Sequence, residues 1–204
     1  MMTPLNRFIV PTLAIAVLSA CRAHTTSASA AALYSDAAQH DPRGKPYVIG
    51  VADVVHVGVW KDESLSADAI VRPDGTITMP LVGEMRAAGR TAAELQKDAS
   101  QRLTAYIKDA AVTVSVTEIN SYRFTVAGNV EHPGLFSARY YLTVSEALAL
   151  AGGPNRYADT DEVVVVRPIG GSLLRIPINY DDILAGRSPE QDIVILAGDS
   201  VRVP

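Results

Sequence analysis

A chain of 204 residues, with 18 basic and 22 acidic side chains and a formal charge of -4, has room for one or two small domains. Its Lys and Arg stand singly among acids, which excludes the basic stripe of a nucleic-acid binder. The composition has only three Phe and one Trp but is rich in Val, Ile and Leu, which excludes a disordered chain and favours packed strands.

In chain order, Arg7 is followed by an apolar run from Phe8 to Leu18. That run is too short for a permanent span and has the length of a signal-peptide apolar region, so residues 1–20 are expected to be a leader. Residues 21–44 are rich in Ala, Ser and Thr without a sustained apolar period, which predicts a tether, part of which can be helical. From Tyr47 to Trp60 the chain is strand-like, with Val55, Val57 and Val59 alternating with His56, Gly58 and Trp60. The polar stretch Lys61 to Ala69 reads as a loop.

Asp74-Gly75 is a hairpin signal for a type I′ turn, because both residues tolerate positive φ. Ile77 and Met79 then alternate with Thr76 and Thr78 as a half-buried strand, and Leu81 to Met85 reads as another. Thr91-Ala-Ala-Glu94 is a capping box opening a helix, with Leu95, Ala99, Leu103 and Tyr106 spaced for one apolar face. Val112, Val114 and Val116 alternate as the next strand, which closes a first α+β domain over 45–120.

The second domain is expected over 121–204. Tyr122, Phe124 and Val126 alternate along a strand, His132-Pro133-Gly134 turns, and Leu135 to Ala138 returns. Thr143-Val-Ser-Glu146 is a second capping box, and its helix stops at Gly152-Gly153-Pro154. Val163 to Val166 reads as a strand buried on both faces, Gly170-Gly171 turns it into Leu173 to Ile178, and Asn179 to Gly186 contains a helical turn. Ile193 to Leu196 and Val201 to Val203 are the remaining expected strands. Two strands, a helix and further strands are the order of a β-grasp module. The two Thr-x-x-Glu units make only a weak repeat.

Leu18-Ser-Ala-Cys21 resembles the lipobox of bacterial lipoproteins, which implies cleavage before Cys21, its lipidation, and an acyl anchor in the membrane. Arg22 follows the Cys where an inner-membrane retention Asp stands in enteric lipoproteins, so the resemblance implies the outer membrane, facing the periplasm. Tyr47-Val-Ile-Gly50, Asp53-Val-Val55, Val71-Arg-Pro-Asp-Gly-Thr-Ile-Thr-Met-Pro-Leu-Val-Gly83, the Gly89 to Glu94 helix entry, Val126-Ala-Gly-Asn-Val130, His132-Pro-Gly134 and Gly198-Asp-Ser-Val-Arg-Val-Pro204 extend the pattern. Together they resemble the bacterial polysaccharide export family of outer-membrane lipoproteins. The resemblance implies an export domain followed by a soluble-ligand-binding β-grasp domain, with subunits closing into a periplasmic ring that conducts polysaccharide. It also implies an inner-membrane polysaccharide co-polymerase as partner. Larger members add β-grasp domains and a C-terminal amphipathic helix, and this sequence ends in a strand at Pro204. A separate outer-membrane β-barrel is therefore the expected last step.

No catalytic constellation is visible. His24, His40, His56 and His132 are dispersed, without the spacing of a metal site. Asp159, Asp161, Glu162 and the pair Asp181-Asp182 lack a Ca²⁺-loop pattern, and Ser64 and Ser66 lack a nucleophile elbow. No enzyme activity and no cofactor are expected. Sugar contact needs aromatic faces and polar groups, and Trp60, Tyr122, Arg139, Tyr140, Tyr141 and Arg156 are the candidate glycan or subunit contacts. A lipoprotein that captures a small glycan without forming a channel is the alternative reading, and size in solution separates the two.

Overall fold

The structure, a computed structural model, describes residues 26–107 and 111–204. The expected leader and the Cys21 lipidation site lie outside the described residues. The architecture is α+β, with two hydrophobic cores in sequence.

The first core is built from strands β1 (Val54–Val59), β2 (Ala67–Ile70) and β5 (Val112–Glu118), a ribbon of β3 (Thr76–Met79) and β4 (Gly83–Arg86), and helix α2 (Ala92–Leu103). An earlier helix, α1 (Thr26–Gln39), belongs elsewhere. β1 is central, antiparallel to β2 and to β5, with Val57 opposite both Ala67 and Val114. Its alternation buries Val55, Val57 and Val59 against Ile77, Met79 and Met85 of the ribbon and Leu95, Ala99 and Leu103 of α2. The capping box forms as expected: the Glu94 amide donates to Thr91 Oγ1, and the Thr91 amide donates to the Glu94 carboxylate. Tyr106 departs from the expected apolar face. The helix ends at Leu103, so the 3.6-residue period no longer places Tyr106, which is 61% exposed.

The turn at Asp74 also departs from expectation. Gly75 alone takes positive φ (81°), while the Gly75 amide donates to the Arg72 carbonyl around Pro73 and Asp74. Pro73 fixes φ near the value of the first corner of an ordinary turn, which excludes the type I′ geometry. The stretch read as loop already contains a short 3₁₀ turn, Glu63–Leu65, and β2.

The second core is a mixed five-stranded sheet. Its strands are β6 (Arg123–Gly128), β7 (Gly134–Ser137), β8 (Val163–Ile169), β9 (Ser172–Ile178) and β10 (Ser200–Val203), in spatial order β7-β6-β10-β8-β9. β6 and β10 run parallel side by side, and the other pairs are antiparallel. Helix α3 (Val144–Leu150), opened by the second capping box, buries Val144, Ala147 and Leu148 in this core. The order and directions are those of a β-grasp. A short helix, α4 (Tyr180–Leu184), follows β9. Ile193–Leu196 is not a strand: only an isolated bridge joins Val194 to Thr143, while Ile193 and Ile195 fill the core from an irregular segment.

The tether expected over 21–44 contains α1, which docks on the second core through Leu33, Tyr34 and Ala37. The Tyr34 hydroxyl donates to the Pro177 carbonyl on edge strand β9 at 2.6 Å. Proline has no N–H to give to a further strand, and Tyr34 occupies its carbonyl, so at Pro177 this edge offers neither donor nor free acceptor for strand addition.

Candidate functional site

The two modules meet at one buried carboxylate. Asp53, immediately before β1, is 0% exposed. One of its oxygens accepts from the amides of Asn120 (2.9 Å) and Ser121 (2.8 Å), the two residues that join the modules. The other accepts from the Gly50 amide (2.8 Å) and the Tyr47 hydroxyl (2.6 Å). Because the Tyr47 proton goes to Asp53, the Ser121 hydroxyl at 3.0 Å is the donor to the Tyr47 oxygen. Burial alone would raise the pKa of Asp53, but the hydrogen bonds from Tyr47, Gly50, Ser121 and Asn120 together outweigh it and hold the carboxyl below its ordinary value. Burial, and then the hydrogen bond to Asp53, push the Tyr47 phenol up. Gly50 allows the close approach, since a Cβ there would lie 2.2 Å from Ser121 Oγ.

Beside this latch lies a cleft of about 420 Å³ between the modules. Tyr47 and Ile119 line it from one side and Tyr122, Arg139, Tyr140 and Tyr141 from the other, with Arg43 at the rim. Arg139 is exposed and has no carboxylate within ion-pairing distance among the described residues. Arg43 is held along one edge by Asp41, which accepts from its Nε and Nη2. Tyr140 is 68% exposed, and Tyr141 is half-buried with its ring edge-on to Tyr122 at 5.1 Å. Burial, followed by the nearby Asp53 charge, raises the pKa of Tyr141, so its hydroxyl stays protonated at neutral pH.

Of the six contact candidates, the fold brings Arg139, Tyr140 and Tyr141 together in this cleft. Tyr122 forms part of its floor but is a core residue, 3% exposed, whose hydroxyl donates to the Ile195 carbonyl and accepts from the Leu142 amide. Its ring is enclosed by Phe124 and Tyr141, which leaves no face for a sugar. Arg156 stands apart, stacked 4.6 Å over the Tyr157 ring on an exposed loop. Trp60 is 73% exposed at the end of β1, opposite the end that leads into the second module.

Sequence reasoning missed Tyr47, Asp53 and Arg43 as parts of the site. The signal was a single acid between Ala52 and Val54, inside an apolar run where an unpaired carboxylate would be costly. It also missed the ion pair of Arg167 with Asp199, both buried, in which Arg167 Nη2 donates to Asp199 at 2.7 Å and to the Val194 carbonyl at 2.7 Å. Among the described residues no group of three or more His, Cys, Asp or Glu side chains is placed to hold a metal ion. No helix among them is long and apolar enough to cross a membrane.

The fold and its junction thus define a two-module protein, an α+β unit latched to a β-grasp. Residues 41–117 match the family model of the polysaccharide biosynthesis/export protein, and residues 123–177 match that of the SLBB domain. The chain is 28% identical over 186 residues to the EPS I polysaccharide export outer membrane protein EpsA of Ralstonia solanacearum, covering 79% of this chain and 48% of that protein. It is 29% identical over 125 residues to the exopolysaccharide production protein ExoF of Rhizobium meliloti (56% of this chain, 30% of ExoF). It is also 28% identical over 145 residues to the polysialic acid transport protein KpsD of Escherichia coli (69% of this chain, 25% of KpsD). Over both modules the chain is thus similar to polysaccharide export proteins. It spans about half the length of the first of these relatives and less of the others.

Proposed function

We propose that this chain is a non-catalytic component of a capsule or exopolysaccharide secretion machine. The observation that carries this reading is the succession of an export-protein match and an SLBB match along one chain, in the company of relatives named for polysaccharide export. In the full proposal, residues 1–20 are a leader, and Cys21 is acylated and holds residues 21–44 at the outer membrane, facing the periplasm. Residues 45–120 form the export domain and 121–204 the β-grasp domain. Copies of the chain close head-to-tail into a ring that conducts the polymer, between an inner-membrane co-polymerase and an outer-membrane β-barrel. The export-protein and SLBB matches support this scheme.

A second reading, a lipoprotein that captures a glycan as a single subunit, is favoured by the cleft, because all its walls come from one chain. Deletion of the gene from its own chromosome, with secreted polymer quantified by uronic acid and total-hexose assays, tests the export reading. Loss of secreted polymer, restored by the wild-type gene and not by Cys21→Ser, is expected. Normal secretion in the deletion strain, in a genome with no second exporter gene, would overturn it.

A further inference from the structure

We infer that the cleft between the two modules binds a carboxylated sugar residue of the polymer. This rests on the export reading for the polymer, while the chemistry comes from the cleft alone. A pyranose ring offers an apolar face of axial C–H groups and an equatorial rim of hydroxyls. An aromatic face covers the first, and hydrogen-bonding side chains take the second. Tyr140 supplies an exposed ring and Tyr141 a half-buried one, whose hydroxyl burial keeps as a protonated donor at neutral pH.

A uronic or ulosonic acid adds a planar carboxylate, and the planar guanidinium of Arg139 matches it with two parallel N–H donors. Arg139 has no carboxylate of its own protein to satisfy it among the described residues. Asp41 occupies the Nε edge of Arg43, so Arg43 contributes its outer Nη1 and Arg139 is the principal anion contact. The Asp53 charge behind the wall is already satisfied by four donors, which limits its opposition to an incoming anion.

Another surface has comparable charge. Arg175 and Arg202 border a shallow depression on the open face of the second sheet, with Thr125, Val164 and Ser200. It has no aromatic face, so it provides an internal control for attraction of an anion by arginine alone. The junction cleft is solvent-open and its charges are screened, so affinity is expected in the millimolar range, weak enough for a polymer in transit to leave.

The test is titration of the isotopically labelled full chain, in detergent, with tri-galacturonate and with the neutral trimer maltotriose, followed through the backbone amide resonances of residues 139–141. Tri-galacturonate is expected to shift these resonances saturably and to bind about tenfold more tightly than maltotriose. Arg139→Gln should reduce tri-galacturonate to the level of maltotriose, Tyr140→Ala should weaken both sugars, and Arg175→Gln should change neither. Both mutated cleft side chains are exposed, and an unchanged melting temperature verifies that the variants fold. The inference is overturned by an absence of shifts at 139–141, by equal binding of the two trimers that Arg139→Gln leaves unaltered, or by binding that follows Arg175→Gln. A negative titration leaves the deletion phenotype intact, and normal secretion by the deletion strain leaves the titration intact, so the two readings fail separately.

Discussion

Asp53→Asn tests the latch between the modules. The carboxylate divides its two oxygens between two pairs of donors, the Asn120 and Ser121 amides on one and the Gly50 amide and Tyr47 hydroxyl on the other. An asparagine keeps its carbonyl for the linker amides and turns its NH₂ toward Tyr47, whose hydroxyl can reverse and accept. The Gly50 amide then faces a donor and is orphaned. One unsatisfied buried amide costs about 1–3 kcal/mol, and exchanging charged for neutral acceptors at the remaining bonds adds to it, for an expected loss of about 2–4 kcal/mol. With a urea slope of about 1–3 kcal/mol per molar, the midpoint falls by about 1–2 M. Hydrogen exchange should accelerate at Gly50, Asn120 and Ser121 ahead of the strand interiors. Since the folded pKa of Asp53 is depressed, its contribution is fully present above the unfolded value of about 3.9 and is lost as pH falls toward the folded value. The gap between wild type and variant should therefore narrow below about pH 4. A midpoint change equivalent to less than about 0.5 kcal/mol, with unchanged exchange at the three amides, would refute the latch.

Other perturbations address each module by itself. Gly128→Ala places a Cβ 1.9 Å from the Val203 carbonyl oxygen at a residue with φ of 98°, so β10 must move away from β6; loss of about 3 kcal/mol or more is expected in denaturant unfolding. Arg167→Ala leaves the Asp199 carboxylate buried without its cation and the Val194 carbonyl without a donor, a cost of about 3–5 kcal/mol by the same measurement. Thr143→Ala removes the N-cap of α3 and should lower the stability of the second module by about 1 kcal/mol, read as a fall in melting temperature by calorimetry.

The features legible in the sequence are those set by neighbours a few residues apart. Thr91 with Glu94 and Thr143 with Glu146 are complete signals within four residues, and both capping boxes form. The alternation from Val112 to Val116 and the glycines after α3 are of the same kind. What escaped depends on partners distant in sequence. The Asp53 carboxylate reads as a lone acid until Asn120, 67 residues away, is folded onto it. The Ala-rich segment before residue 40 looks like a tether because its few apolar side chains find their core only on the second module. Ile193 to Leu196 has the composition of a strand, yet the sheet position beside β8 is taken by β10. Arg139, Tyr140 and Tyr141 stand together in the sequence as a basic and aromatic cluster, but Tyr47 and Arg43 join them in one cleft only through the fold.

The parallel pairing of β6 with β10 has a consequence for how the protein is made. The strand that occupies the middle of the second sheet is drawn from Ser200–Val203, more than seventy residues after the strand beside it. As the chain emerges in order, the first module can complete its own core while the second holds two hairpins and a helix around an unfilled slot. Non-local closure of this type is slow and leaves apolar strand faces and unpaired backbone open until the end. The interval between the appearance of β9 and that of β10 is therefore when a chaperone escort matters most for this protein.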